Sequence, residues 1–248
     1  MYDLVIRNGT VVDGTGLPQY RADVAVSGDR IAAIGRIGER GKEEIDATGQ
    51  VVTPGFIDGH THMDAQVFWD PLGSCSCWHG VTTVVMGNCG FTLAPGTPEQ
   101  RNMIVSNIAR AEDISTDAMD AAIRWDWTTF REYMNVVDKL PKTINYAANI
   151  GHSALRTHVM GERSWEQQAT ADDIGAMEHE LLDALNGQLA PRLKANRMNA
   201  ALLYAVFDLA CGTMCVANAG MIAPLLIRGG RAQMIETAGL PLGAFAGA

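Results

Sequence analysis

The sequence is poor in charge, in aromatic residues and in cysteine. Asp, Glu, Lys and Arg make up 19% of its 248 residues, and 28 acidic against 19 basic side chains leave a formal charge of −9. That balance lacks the basic footprint of a nonspecific nucleic-acid binder and gives no attraction to an anionic membrane. No apolar run reaches the roughly 18 residues of a membrane-spanning helix. The opening MYDLVIRNGT lacks the basic start and long apolar core of a secretory signal. Five cysteines, an odd number without framework spacing, fit a reducing compartment, so a cytoplasmic location is expected. What is abundant is apolar material, 47% of the chain, which excludes a disordered, collagen-like or disulfide-stapled class.

Residues 1–52 read as short strands and predict a small, incomplete β-sandwich module without chemistry of its own. Asp3–Arg7 precedes Asn8-Gly9, a hairpin-turn dipeptide, and Thr10–Val12 follows. Ala22–Val26 alternates apolar and polar residues, and Ser27-Gly28-Asp29 turns the chain into Arg30–Gly35. Residues 53–185 change character. A Pro54-Gly55 break precedes a short strand expected to be buried. Val81–Met86 predicts a second buried strand, and Gly80 a helix C′ position. After a longer polar stretch, Phe130, Tyr133, Met134, Val137 and Leu140 form a helical stripe stopped by Pro141. Ile144–Ile150 is the next strand, and Thr170–Asp173 resembles a capping box ahead of the stripe Ile174, Met177, Leu181, Leu182 and Leu185. Strand alternating with helix predicts an α/β fold with a parallel sheet, of TIM-like barrel type. From 186 to 248 that rhythm stops. Residues 200–208 and 214–218 around an Ala210–Thr213 turn, then 224–228 and 231–235 around Gly229-Gly230, predict antiparallel hairpins.

The densest chemistry is His60-Thr61-His62. Residues i and i+2 of a strand share a face, so both imidazoles can reach one divalent ion. Asp58 and Asp64 flank the pair, and Cys89, at the end of the next strand, can add a thiolate. His79 reads as a helix-end cap, His179 as solvated, and His158 has no motif context; His152, at a strand end, can face a pocket. Cys75 and Cys77 read as free thiols, Cys211 and Cys215 as packing residues, and Trp125 and Trp127 as core anchors.

These residues resemble a known family. Pro54-Gly55-Phe56-Ile57-Asp58-Gly59-His60-Thr61-His62 is similar to the first barrel strand of the amidohydrolase superfamily, and DLVIRNGTVVDGTG to its N-terminal β-rich module. Gly87-Asn88-Cys89-Gly90-Phe91 narrows the likeness to the N-acyl-D-amino-acid deacylase (D-aminoacylase) branch, as does Gly151–Arg156 with Met160-Gly161. The resemblance spans about residues 1–185. It implies zinc held by His60, His62 and Cys89, a substrate contact at His152, and hydrolysis of an N-acyl-D-amino acid by Lewis-acid and general acid/base catalysis. A hydantoinase-type cyclic amidase is the alternative within the superfamily, which the Gly-Asn-Cys-Gly motif disfavours.

The same resemblance implies ligands this chain does not match. The branch draws two further histidines from barrel strands five and six and a proton-shuttling aspartate from strand eight, and none has a counterpart here, so the catalytic residue is unknown. Val216–Gly220, Pro224–Leu226 and Gly239–Gly243, with Leu189–Arg192 leading to Tyr204–Asp208, resemble instead a fragment of stage-II-sporulation-type PPM serine/threonine phosphatases. A module of about 52 residues and a tail of about 62 leave 248 − 52 − 62 = 134 for the barrel. Eight βα units need about 250 residues, so a truncated barrel, or an inactive chimera with a phosphatase-like tail, is the competing expectation. Open sheet edges then predict self-association.

Overall fold

The structure is a computed structural model that describes residues 1–198, 200–208, 211–237 and 239–241. The chain divides into two compact units, Met1–Ile57 with Gly80–Thr82, and Asp58–His79 with Thr83 onward. The architecture is mixed α/β.

The first unit is built on a five-stranded sheet of β1 (Tyr2–Val11), β2 (Tyr20–Ser27), β3 (Arg30–Gly35), β4 (Gly41–Asp46) and β5 (Val51–Val52). The order is β3-β2-β1-β4, with β5 also on β1; β2 runs antiparallel to β1, while β4 and β5 run parallel to it. Val5, Ala25 and Ile37 form its buried core. One sequence expectation is corrected here. Asn8-Gly9 is not a hairpin turn. Asn8 takes φ +60° inside a single strand whose register with β2 shifts between Ile6 and Gly9, so the left-handed preference that favours a turn is spent on a bulge. A side chain at Gly9 would meet Val52 Cγ2 at 2.5 Å, which is why glycine follows. The sequence reading names no strand at β4, which has no apolar alternation. It is an exposed edge strand rich in charge, a common way of blunting a sheet edge.

A further sheet consists of β6 (Phe56–Asp58), β7 (Val81–Met86) and β8 (Asn145–Ala148) in the order β6-β7-β8, with β8 parallel to β7. The central strand is apolar for the expected reason, since Val84 and Met86 are fully buried. The outer strand β6 is not buried as expected, because Phe56 and Ile57 are 58% and 70% exposed. The helices are α1 (Ser74–Cys77), α2 (Arg101–Glu112), α3 (Thr116–Ala122), α4 (Phe130–Asp138), α5 (His152–Met160) and α6 (Ala171–Ala195). Helices α2 and α3 occupy what the sequence offers as a polar stretch. The stripe of α4 buries Phe130, Tyr133 and Val137 against an aromatic group with Phe68 and Trp127. Trp127 anchors this core as expected, its indole N–H donating to Leu93 O at 3.0 Å.

Thr170 caps α6 through the Asp173 backbone N–H, and the Asp173 carboxylate reaches back to the Thr170 N–H, the reciprocal capping box. The helix runs unbroken to Ala195 with Pro191 inside it, so the change of architecture expected at 186 comes after 195 instead. Beyond it, β9 (Leu202–Asp208) pairs antiparallel with β10 (Thr213–Ala219), and β11 (Leu225–Arg228) with β12 (Arg231–Met234). Cys211 is exposed rather than packed. Ala210 of the expected turn, and Leu242 and Gly243 of the tail's resemblance, lie outside the described residues. Among the described residues no helix is long and apolar enough to cross a membrane.

Candidate metal centre

The chain leaves β6 at Asp58, whose carboxylate accepts the His60 backbone N–H at 3.1 Å. His60 and His62 therefore lie just past the regular strand rather than within it. Thr61, between them, is buried. Its backbone N–H and its hydroxyl both donate to Val85 O, at 3.0 and 2.8 Å. With the middle residue pinned inward, the two flanking imidazoles stay paired, ring centroids 5.3 Å apart. The i, i+2 logic survives although the strand is short.

Cys89 comes from the turn after β7. Gly87 has φ +78°, and a Cβ there would collide with Asn149 O, so only glycine fits. Cys89 itself has φ +53°, a left-handed conformation that is costly for a residue with a side chain. Three hydrogen bonds hold the turn. Asn88 Nδ2 donates to Thr61 O at 3.2 Å and to Val85 O at 2.8 Å, and the Gly87 N–H donates to Asp64 Oδ2 at 2.9 Å. Asp64 is 3% exposed, and burial pushes its carboxyl up to about 7. Its other oxygen has no hydrogen-bond partner.

Together these contacts bring the three sequence-predicted donors together. The ligand atoms of His60, His62 and Cys89 all lie within 4.8 Å of one another. His60 Nε2 and Cys89 Sγ are 3.4 Å apart. Zinc bonds of about 2.0 Å to nitrogen and 2.3 Å to sulfur at a tetrahedral angle put those atoms about 3.5 Å apart, so the donor types and the spacing of this pair fit zinc. His60 and Cys89 are exposed, which leaves this side of the cluster open. One neighbour was missed from sequence: Glu112, the last residue of α2, whose Oε1 lies 2.8 Å from His62 Nδ1. No motif marks it.

The other histidines disperse. His152 is the first residue of α5 and lines a separate cavity of about 200 Å³ with Phe91, Arg156 and Trp165. His79 Nδ1 lies 2.9 Å from Cys75 O and caps α1 as expected. His158 Nδ1 lies 3.3 Å from Gln100 Oε1, and His179 is exposed on α6.

The amidohydrolase family pattern matches residues 43–212, a span that passes the boundary expected at 186. A D-aminoacylase of Alcaligenes xylosoxydans xylosoxydans is 37% identical over 178 residues, 71% of this chain and 34% of that protein. An N-acyl-D-glutamate deacylase of the same organism is 37% identical over 187 residues, covering 74% and 35%. Among solved structures, a D-aminoacylase described as defining a novel subset of amidohydrolases aligns with a TM-score of 0.61 at 36% identity, over 75% of this chain and 36% of that one. The N-acyl-D-glutamate deacylase of Bordetella bronchiseptica, complexed with zinc and a phosphonate mimic of the tetrahedral intermediate, aligns with a TM-score of 0.60 at 32% identity over the same shares. For D-aminoacylase a binuclear metal centre is described, activated by one metal and attenuated by a second. This chain spans about a third of the length of these relatives. With the family pattern over most of its length, the chain belongs to the amidohydrolase family.

Proposed function

We propose that this chain holds zinc through His60, His62 and Cys89, and that the centre serves hydrolysis of the linear amide of an N-acyl-D-amino acid to the D-amino acid and a carboxylate. The observation that carries the reading is the convergence of two imidazoles and one thiol within 4.8 Å. Bound zinc supplies Lewis-acid polarisation of the amide carbonyl. The protein's own contribution is positional. Thr61 fixes the histidine pair, while Asp64 and Asn88 hold the turn that presents Cys89. Three protein donors leave a fourth tetrahedral position for substrate. His152, in its cavity beside Arg156, is the assigned substrate contact. The strands that carry these residues are read as part of a (β/α) barrel. No residue of this chain is assigned as the general acid/base, so metal binding is expected to outlast turnover. Metal analysis of purified protein, with release of free D-amino acid from N-acetyl-D-methionine, tests the reading. Folded protein that takes up no zinc and hydrolyses nothing overturns it.

A second reading is favoured by the two antiparallel hairpins that follow α6. Under it, the tail is a phosphatase-like segment of separate origin and the chain is a catalytically inactive chimera. Coding DNA that reads continuously across the junction in independent isolates argues for a natural fusion; DNA that does not recur argues for an artefact.

A further inference from the structure

We propose that Glu112 is the positioning residue of His62, holding its imidazole as the Nδ1–H tautomer so that Nε2 keeps the lone pair offered to a metal. The inference rests on the metal-centre reading and adds a residue to it. An ionised carboxylate can only accept a hydrogen bond. With Glu112 ionised, a hydrogen bond across the 2.8 Å between its Oε1 and His62 Nδ1 puts the ring proton on Nδ1. A neutral imidazole has one N–H and one lone pair, so the lone pair falls on Nε2. Metal-ligating histidines commonly spend their second nitrogen on a carboxylate in this way, which fixes ring orientation and raises ligand basicity.

The placement of Glu112 is otherwise hard to account for. It ends α2, where the helix dipole disfavours an anion. It follows the buried residues Ile104, Val105 and Ile108 at helical spacing, four positions after Ile108, so it continues an inward-facing stripe. Its side chain is 18% exposed, and among the described residues no Lys or Arg pairs with it. A carboxylate on the core side of a helix end, partnered by one histidine of an H-x-H pair, is well placed to orient that histidine.

The test uses the full chain. Long-range proton–nitrogen correlation on metal-free, nitrogen-15-labelled protein reads the tautomer of His62 directly, and zinc titration against a competing chelator reads affinity. In the parent, His62 should be protonated at Nδ1. Glu112→Ala and Glu112→Leu, two independent deletions with good helix formers, should lose that tautomer bias and weaken zinc binding by about 10–100-fold. Glu112→Gln, which keeps an acceptor oxygen, should retain the tautomer with a smaller loss. Unchanged tautomer and affinity in the deletion variants overturn the role of Glu112. If the parent itself takes up no zinc, the metal-centre reading fails. The tautomer comparison then decides Glu112 alone: bias lost on deletion supports it, and bias unchanged overturns it.

Discussion

The backbone N–H of Gly87 donates to the carboxylate of Asp64 at 2.9 Å, and the pair is buried. This bond ties the turn that carries Cys89 to the segment that carries His62, 23 residues earlier in the chain. Asp64→Ala leaves a buried N–H unpaired and should cost about 1–3 kcal/mol of stability. Asp64→Asn keeps an acceptor in place and should cost much less. Urea denaturation of the two variants checks the difference; equal losses would point to packing rather than to the hydrogen bond.

Cys89 sits at φ +53°. Relieving a left-handed conformation is worth about 1–2 kcal/mol per residue. Cys89→Gly should therefore raise the stability of the metal-free protein by about 1 kcal/mol while abolishing zinc binding at this centre. Thermal denaturation with and without zinc reads both effects. A variant that is destabilised without metal contradicts the idea that the turn holds this residue at a cost.

The Arg163 guanidinium, with the N–H and hydroxyl of Thr170, holds the Asp173 carboxyl well below the usual carboxylate range. An acid whose folded value is depressed stabilises the fold above the unfolded value, near 3.9, and loses that contribution as pH falls towards the folded value. The melting temperature of the parent should exceed that of Asp173→Asn at pH 7, and the gap should close below about pH 4. A gap independent of pH between 7 and 3 would remove the ionic explanation.

Thr170→Ala removes the other half of the same capping box. It should cost about 1 kcal/mol, the ordinary worth of a helix N-cap. Loss of helical circular dichroism at a lower urea concentration than in the parent is the expected reading, and an unchanged midpoint contradicts it.

Phe56, Ile57, Trp78, Ile222 and Ile227 are all exposed. Exposed apolar side chains of this kind favour association. Light scattering should show the mean mass rising with concentration, and a clean monomer at high concentration would sink this expectation.

Much of the candidate centre was legible in the sequence, because its parts are local. H-x-H spacing and the Gly-Asn-Cys-Gly turn each act within a few residues, as does the Thr170 box elsewhere in the fold, so each survives reading one segment at a time. Glu112 was not legible, because its partner lies fifty residues away and its helix, RNMIVSNIARAE, mixes polar residues into the buried stripe. β4 escaped notice because an exposed edge strand needs no apolar alternation. Asn8-Gly9 misled because a tight turn and a β-bulge ask for the same left-handed backbone, and only the partner strands decide between them.

His60 and Cys89 stand 29 residues apart in sequence, and their ligand atoms 3.4 Å apart in space. An ion gripping both would close that stretch into a ring and remove open conformations from the unfolded ensemble, as a disulfide does. Zinc supply would then set how often the segment between them unfastens. Hydrogen exchange across residues 60–89 would register metal in the surroundings even where no substrate is ever turned over.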